Sequence, residues 1–198
     1  MSGSFIGWFA ITGQLYLILH NRTESVPETL MRFFTFFTIL SNIIAAVYFT
    51  MLLIKPASRL GKFLSKPASE TAIAVYITIV GLVYNLVLRF IWAPHGFQRF
   101  IDEMLHLIVP FIFILYWSIF LAHKKLYWKN IFVWLLYPLV YIITVLVRGI
   151  FSGYYPYPFI DVGKIGYSAV FINSIYVSIA FITVSLIFIG ITKWMNKS

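Results

Sequence analysis

The sequence predicts an all-α, polytopic membrane protein. It reads as one domain over residues 1–198, a bundle of six transmembrane helices with both termini cytoplasmic. Three observations predict it. Of 198 residues, 61% are hydrophobic and 11% charged, with mean hydropathy +0.91, whereas soluble domains carry about 25% charge. Uncharged runs of the length a bilayer needs, about 20 residues, recur along the chain. The basic residues concentrate in alternate loops between those runs, as membrane topology requires.

The first helix is expected at Ser4–Leu19. No basic stretch precedes it, so a retained helix is expected rather than a cleaved signal peptide. The second is expected at Leu30–Leu53, the third at Thr71–Trp92 and the fourth at Asp102–Ala122. The fifth is expected at Asn130–Gly149 and the sixth at Gly166–Trp194. The connectors PASRLGKFLSKPAS, APHGFQ and FSGYYPYPFIDVGK each contain Pro or Gly, which break helices. No polar stretch is long enough to form a separate soluble core.

Orientation follows from Lys and Arg. Lys55, Arg59, Lys62 and Lys66 follow helix two, Lys124, Lys125 and Lys129 follow helix four, and Lys193 and Lys197 lie at the C-terminus. These nine residues share one side with a single acid, Glu70. The other side has five basic residues (Arg22, Arg32, Arg99, Arg148, Lys164) and five acids. The nine-residue side should be cytoplasmic and the location the cell membrane. The net charge of +9 is thus a topology signal, and no nucleic acid partner is expected.

Several chemistries are disfavoured. There is no cysteine, so neither disulfide nor thiolate chemistry is available. No lysine falls within a span, which leaves nothing for a retinal Schiff base. His95, Asp102, Glu103 and His106 form only a loose H-x6-D-E-x2-H set, not a zinc spacing. No metal and no cofactor are expected. Asn21–Thr23 matches a glycosylation acceptor but hugs the membrane.

Polar groups inside spans are costly and point to function. Here they gather at one depth. Thr35 lies about one turn into helix two, roughly 7 Å at 1.5 Å per residue, and His106 lies at a similar depth in helix four. Arg89 is one turn below the surface of helix three, and Asn85 is a turn deeper. Asn173 is about two turns into helix six, while Gln14 and His20 sit near the outer end of helix one. Thr35, Thr38 and Asn42 fall on one helical stripe, as do Glu103, His106 and Pro110. Each residue alone could serve as interhelical glue. Their common depth favours a cavity in the outer leaflet.

A hydroxyl nucleophile needs a base, and a neutral His within reach supplies one. Thr35 and His106 form the candidate catalytic pair. Asn42, Asn85, Tyr84 or Arg89 could stabilise an oxyanion. This chemistry suits acyl transfer to water, and the lipid-facing position suits an ester with long chains.

Three stretches carry a resemblance to a known family: FFTFFTILSN at Phe33–Asn42, LHLIVPFIFILYW at Leu105–Trp117 and YYPYPFIDVGKIGY at Tyr154–Tyr167. The chain resembles bacterial six-pass membrane proteins related to the androgen-induced/ADTRP-like threonine hydrolases. That resemblance implies a multipass hydrolase of fatty acid esters of hydroxy fatty acids. Its nucleophile would be Thr35, in an aromatic run opening a helix, and its essential His would be His106, four residues before Pro110. Thr38, one turn deeper, is a rival nucleophile.

The reading is therefore a membrane-embedded hydrolase of lipid-like esters, with Thr35 and His106 as catalytic residues. Thr38, Asn42, Asn85, Arg89, Trp117, Tyr155, Asp161 and Asn173 are the substrate-binding candidates. Tyr155, Tyr157 and Asp161 could form a lid, or an interfacial aromatic belt. The alternatives are a non-enzymatic lipid or small-solute carrier using the same cavity, and a scaffold whose polar layer is only glue. The expected partners are the bilayer and a lipid-like substrate.

Overall fold

The computed structural model describes residues 2–196; Lys197, one of the nine basic residues above, lies outside them. Among the described residues the chain is all helical, with no strand. Six helical segments are long and apolar enough to cross a membrane: Ser2–His20, Phe37–Ile54, Pro67–Phe90, Gly96–Phe120, Asn130–Ser152 and Val162–Met195. Large apolar side chains such as Phe90, Phe132 and Phe151 stand largely exposed around the bundle. Water would not tolerate so broad an apolar surface, but lipid would.

The first span, α1 (Ser2–His20), packs against α3 (Phe37–Ile54), where Gly7 rests on Ala46. Behind α3 lies α5 (Pro67–Leu86), the most buried helix, which touches α7 (Val109–Phe120) and α10 (Val162–Met195). The fifth span is α8 (Asn130–Trp134) followed by α9 (Leu136–Ser152). The loop after α3 contains a short helix, α4 (Arg59–Leu64), capped by the Ser58 side chain on the Gly61 N–H.

The expected second helix, Leu30–Leu53, is two helices. An α2 helix covers Val26–Phe33, with Ser25 accepting from the Glu28 N–H at its cap and Pro27 in its first turn. Residues 34–36 then turn before α3 starts at Phe37. Broken helices leave backbone groups without partners, and distant tyrosines supply them. Tyr141 Oη donates to the Thr35 carbonyl at 2.9 Å, and the Thr38 N–H donates to Tyr157 Oη at 3.2 Å. The break removes Thr35 from the helical stripe that the sequence suggested.

The expected fourth helix, Asp102–Ala122, starts earlier, at Gly96. It runs through α6 (Gly96–Glu103) and a π-helical turn at Met104–Ile108 into α7. Pro110 explains the π turn. It has no N–H for the His106 carbonyl and its ring would clash there, and a widened turn relieves both problems. Gly81 on α5 lets the freed carbonyl approach, because a Cβ at that position would meet His106 O at 3.1 Å. The third span ends its α-helix at Leu86, and a 3-10 turn at Leu88–Phe90 completes it. The last helix begins at Val162 and kinks at Gly166, whose φ of 76° suits glycine.

Candidate functional site

The broken second helix and the widened fourth helix meet. Thr38, in the first turn of α3, places Oγ1 3.3 Å from His106 Nε2 and 3.3 Å from Tyr157 Oη. His106 Nδ1 lies 2.8 Å from the Asp102 backbone carbonyl. A carbonyl only accepts, so Nδ1 carries the ring proton and Nε2 is a free acceptor. One assignment then satisfies every group. The Thr38 N–H donates to Tyr157 Oη, Tyr157 O–H to Thr38 Oγ1, and Thr38 O–H to His106 Nε2.

Packing holds the imidazole in place. Tyr84 stacks on it with ring centroids 3.9 Å apart and planes at 14°. Asn42 Nδ2 donates to the Thr38 carbonyl at 2.8 Å and to the Leu105 carbonyl at 3.2 Å, which ties α3 to the π turn. Tyr157 comes from the loop between the last two spans, flanked by Pro156 and Pro158. Burial pushes its phenol above the ordinary range, so it stays protonated and can donate. Asn173 Nδ2 anchors this loop by donating to the Phe159 carbonyl at 2.8 Å. Arg32 and Arg148 sit over the Tyr154 ring at 4.4 and 5.4 Å, and both guanidinia bind Glu28 at 2.8 Å.

Thr38 and Tyr157 line two cavities. One, about 380 Å³, is an apolar slot walled by Phe37, Ile79, Leu139, Ile142, Val177 and Phe181 among α3, α5, α9 and α10. The other, about 610 Å³, opens toward the loops; Gln14, Arg32, Tyr84, Gln98, Asp102, His106 and Tyr154 line it. A long apolar chain fits the first and a polar group fits the second.

Thr35 sits elsewhere. Its Oγ1 donates to the Arg32 carbonyl at 2.6 Å, in the turn before α3, and Thr35 lines neither cavity. Asn85 donates to the Gly81 carbonyl in its own helix. Arg89 pairs with Glu103 at 2.7 Å and lies 5.2 Å from the centre of the Tyr84 ring, which itself stacks on His106. Trp117 is buried far along α7, where Nε1 donates to Thr71 Oγ1 and the ring packs on Phe188. Tyr155 packs on Gly149, and Asp161 precedes α10 and pairs with Lys164 at 3.4 Å. Neither Tyr155 nor Asp161 lines either of these two cavities; Tyr154, Pro156 and Tyr157 do.

The loose His95–His106 set is dispersed. Glu103 is taken by Arg89, Asp102 by Trp92 and Gln98, and His106 by Thr38. Among the described residues no three His, Asp or Glu side chains gather as metal ligands. Sequence reasoning missed Tyr141, the bond of which to a backbone carbonyl leaves no sequence signal, and the Asp102–Trp92–Gln98 cluster, which spans a loop break.

Comparison with models of known families, with characterised proteins and with solved structures finds no match to this chain.

Proposed function

We propose that this protein is a membrane-embedded hydrolase of lipid-like esters, with Thr38 as nucleophile and His106 as base. One observation carries the proposal. Thr38 Oγ1 lies 3.3 Å from an imidazole nitrogen left unprotonated by its neighbour's bond to Asp102, and Thr38 lines both the apolar slot and the larger cavity that holds Arg32, Asp102 and His106.

In this reading the ester's acyl chain lies in the slot and its carbonyl lies at Thr38. Thr38 Oγ attacks the carbonyl carbon while its proton moves to His106 Nε2. The carbonyl electron pair moves onto oxygen, which takes a hydrogen bond from the Tyr157 O–H as that hydroxyl turns from Thr38 Oγ1. Collapse breaks the bond to the alcohol, which leaves with the proton from Nε2. Water then gives a proton to Nε2 and attacks the threonyl ester. Collapse releases the acid and returns the proton to Thr38.

The resemblance to androgen-induced/ADTRP-like hydrolases agrees with a threonine and a histidine in these two stretches, with Thr38 replacing Thr35 as the attacking group. The uneven loop charges support an orientation with both termini cytoplasmic and the site at the outward end, in the cell membrane. A carrier is the second reading. It is favoured by Thr38 and Tyr157 lining both cavities, which sets space for an apolar chain beside space for a polar group without requiring chemistry.

Labelling with a long-chain fluorophosphonate, read by peptide mass spectrometry, tests the first reading. The adduct should fall on Thr38. Thr38→Ala and His106→Ala should each lower ester hydrolysis by about 100-fold or more, and Thr35→Ala should leave it within a few-fold. Full activity in Thr38→Ala would refute the mechanism, and solute movement across sealed vesicles by that variant would establish the carrier.

A further inference from the structure

Of the six acids in the chain, five hold a basic partner at 2.7–3.4 Å: Glu24, Glu28, Glu70, Glu103 and Asp161. Asp102 has none among the described residues. It is also only 5% exposed, and it lines the polar cavity. A buried carboxylate without a cation is costly unless donors surround it. Two donors are present, Trp92 Nε1 on Oδ2 at 2.7 Å and Gln98 Nε2 on Oδ1 at 3.3 Å. Gln98 also donates to Gln14 Oε1 at 2.9 Å. A carboxylate has about four acceptor sites, so lone pairs remain for a group inside the cavity.

From this unpaired carboxylate we infer a second binding subsite, centred on Asp102, for a hydrogen-bond-donating polar group of an amphiphile, either a hydroxyl or an ammonium. Trp92 and Gln98 hold the carboxylate's orientation, and the rings of Tyr84 and Trp92 flank the cavity, which suits either an ammonium or a sugar-like or glycerol-like face. Asp102 and His106 are four residues apart across the π turn, and the Asp102 carbonyl also orients the His106 ring. A polar group bound at Asp102 would therefore bring the adjoining bond of the same molecule toward Thr38. The subsite selects against an anionic end group, since a second carboxylate would face Asp102. It rests on the reading that one amphiphile occupies both cavities, and it does not require hydrolysis.

Competition binding to the purified full chain in detergent tests it, with radiolabelled 1-O-dodecylglycerol as the probe. That ether cannot be hydrolysed. Dodecyl methyl ether, dodecylammonium and dodecanoate serve as competitors. Dodecylglycerol, dodecylammonium or both should bind at least about 10-fold more tightly than the methyl ether and dodecanoate, the effect of a hydrogen bond to a charged group. Asp102→Leu should erase that preference. Asp102→Asn, which keeps the shape and an acceptor oxygen, guards against misfolding. It should weaken dodecylammonium about 10-fold or more if an ammonium is the ligand, and change dodecylglycerol only a few-fold if a hydroxyl is.

Equal binding of all four amphiphiles, or a preference unchanged in both Asp102 variants, would overturn the inference and leave the carboxylate as a lock for Trp92 alone. Thr38→Ala separates the two proposals. Loss of hydrolysis with the binding preference intact keeps both. Undiminished hydrolysis in Thr38→Ala with an Asp102-dependent preference discards only the nucleophile.

Discussion

Thr38 and His106, 68 positions apart in the chain, stand with Oγ1 and Nε2 3.3 Å apart. The contact exists because two helices are irregular at the same level. Phe34–Phe36 interrupt the second helix so that Thr38 falls in a first turn, and the π turn at Met104–Ile108 presents His106 toward it.

Asn42 joins the two irregularities. Its amide nitrogen bonds both the Thr38 and Leu105 carbonyls, while its Oδ1 has no partner among the described residues. Asn42→Ala should lose about 1–2 kcal/mol of stability. Asn42→Asp should be worse, because a carboxylate would face two carbonyl oxygens. Thermal unfolding in detergent ranks the two, and an Asp variant as stable as the Ala variant would contradict this role.

Tyr157→Phe keeps the ring on Phe159, stacked at 5.2 Å, and removes the hydroxyl from Thr38. If that hydroxyl holds the oxyanion, kcat should fall on the order of 100-fold with KM changed little. A rise in KM alone would assign Tyr157 to substrate binding.

Gly149 gives the Tyr155 ring its place, since a Cβ there would run into it. Gly149→Ala should cost about 1–3 kcal/mol by overpacking and shift the loop that carries Tyr157. Adding Tyr155→Ala should restore part of the loss. Thermal unfolding of the single and double variants checks this, and no recovery would separate the two residues.

Glu28 lies outside the spans, and hydrogen bonds first from Arg32 and then from Arg148 hold its carboxyl below the usual range. A carboxylate with a lowered folded value stabilises the protein fully above its unfolded value, about 4.3. It loses that contribution as pH falls through the folded value. The melting-temperature gap between the native chain and Glu28→Gln should therefore be constant from pH 7 to about pH 5 and narrow toward pH 3. A gap that stays constant down to pH 3 would show that these pairs do not support the fold.

Hydropathy and charge along the chain already separate six runs that form helices long and apolar enough to cross a membrane, because backbone in lipid must satisfy its own polar groups and a long helix is the local solution. The sequence also marks His106 as a base and Thr35, with Thr38 as its rival, as a nucleophile. Which of Thr35 and Thr38 faces His106 depends on packing: Thr38 Oγ1 lies 3.3 Å from Nε2, whereas Thr35 Oγ1 bonds the Arg32 carbonyl. The helix break survives because Tyr141 and Tyr157 satisfy a carbonyl and an N–H from elements more than 100 residues away, and no local pattern around Phe33–Asn42 contains those partners. The same holds for Asp102: a carboxylate's want of a cation depends on where every other charge in the fold has gone.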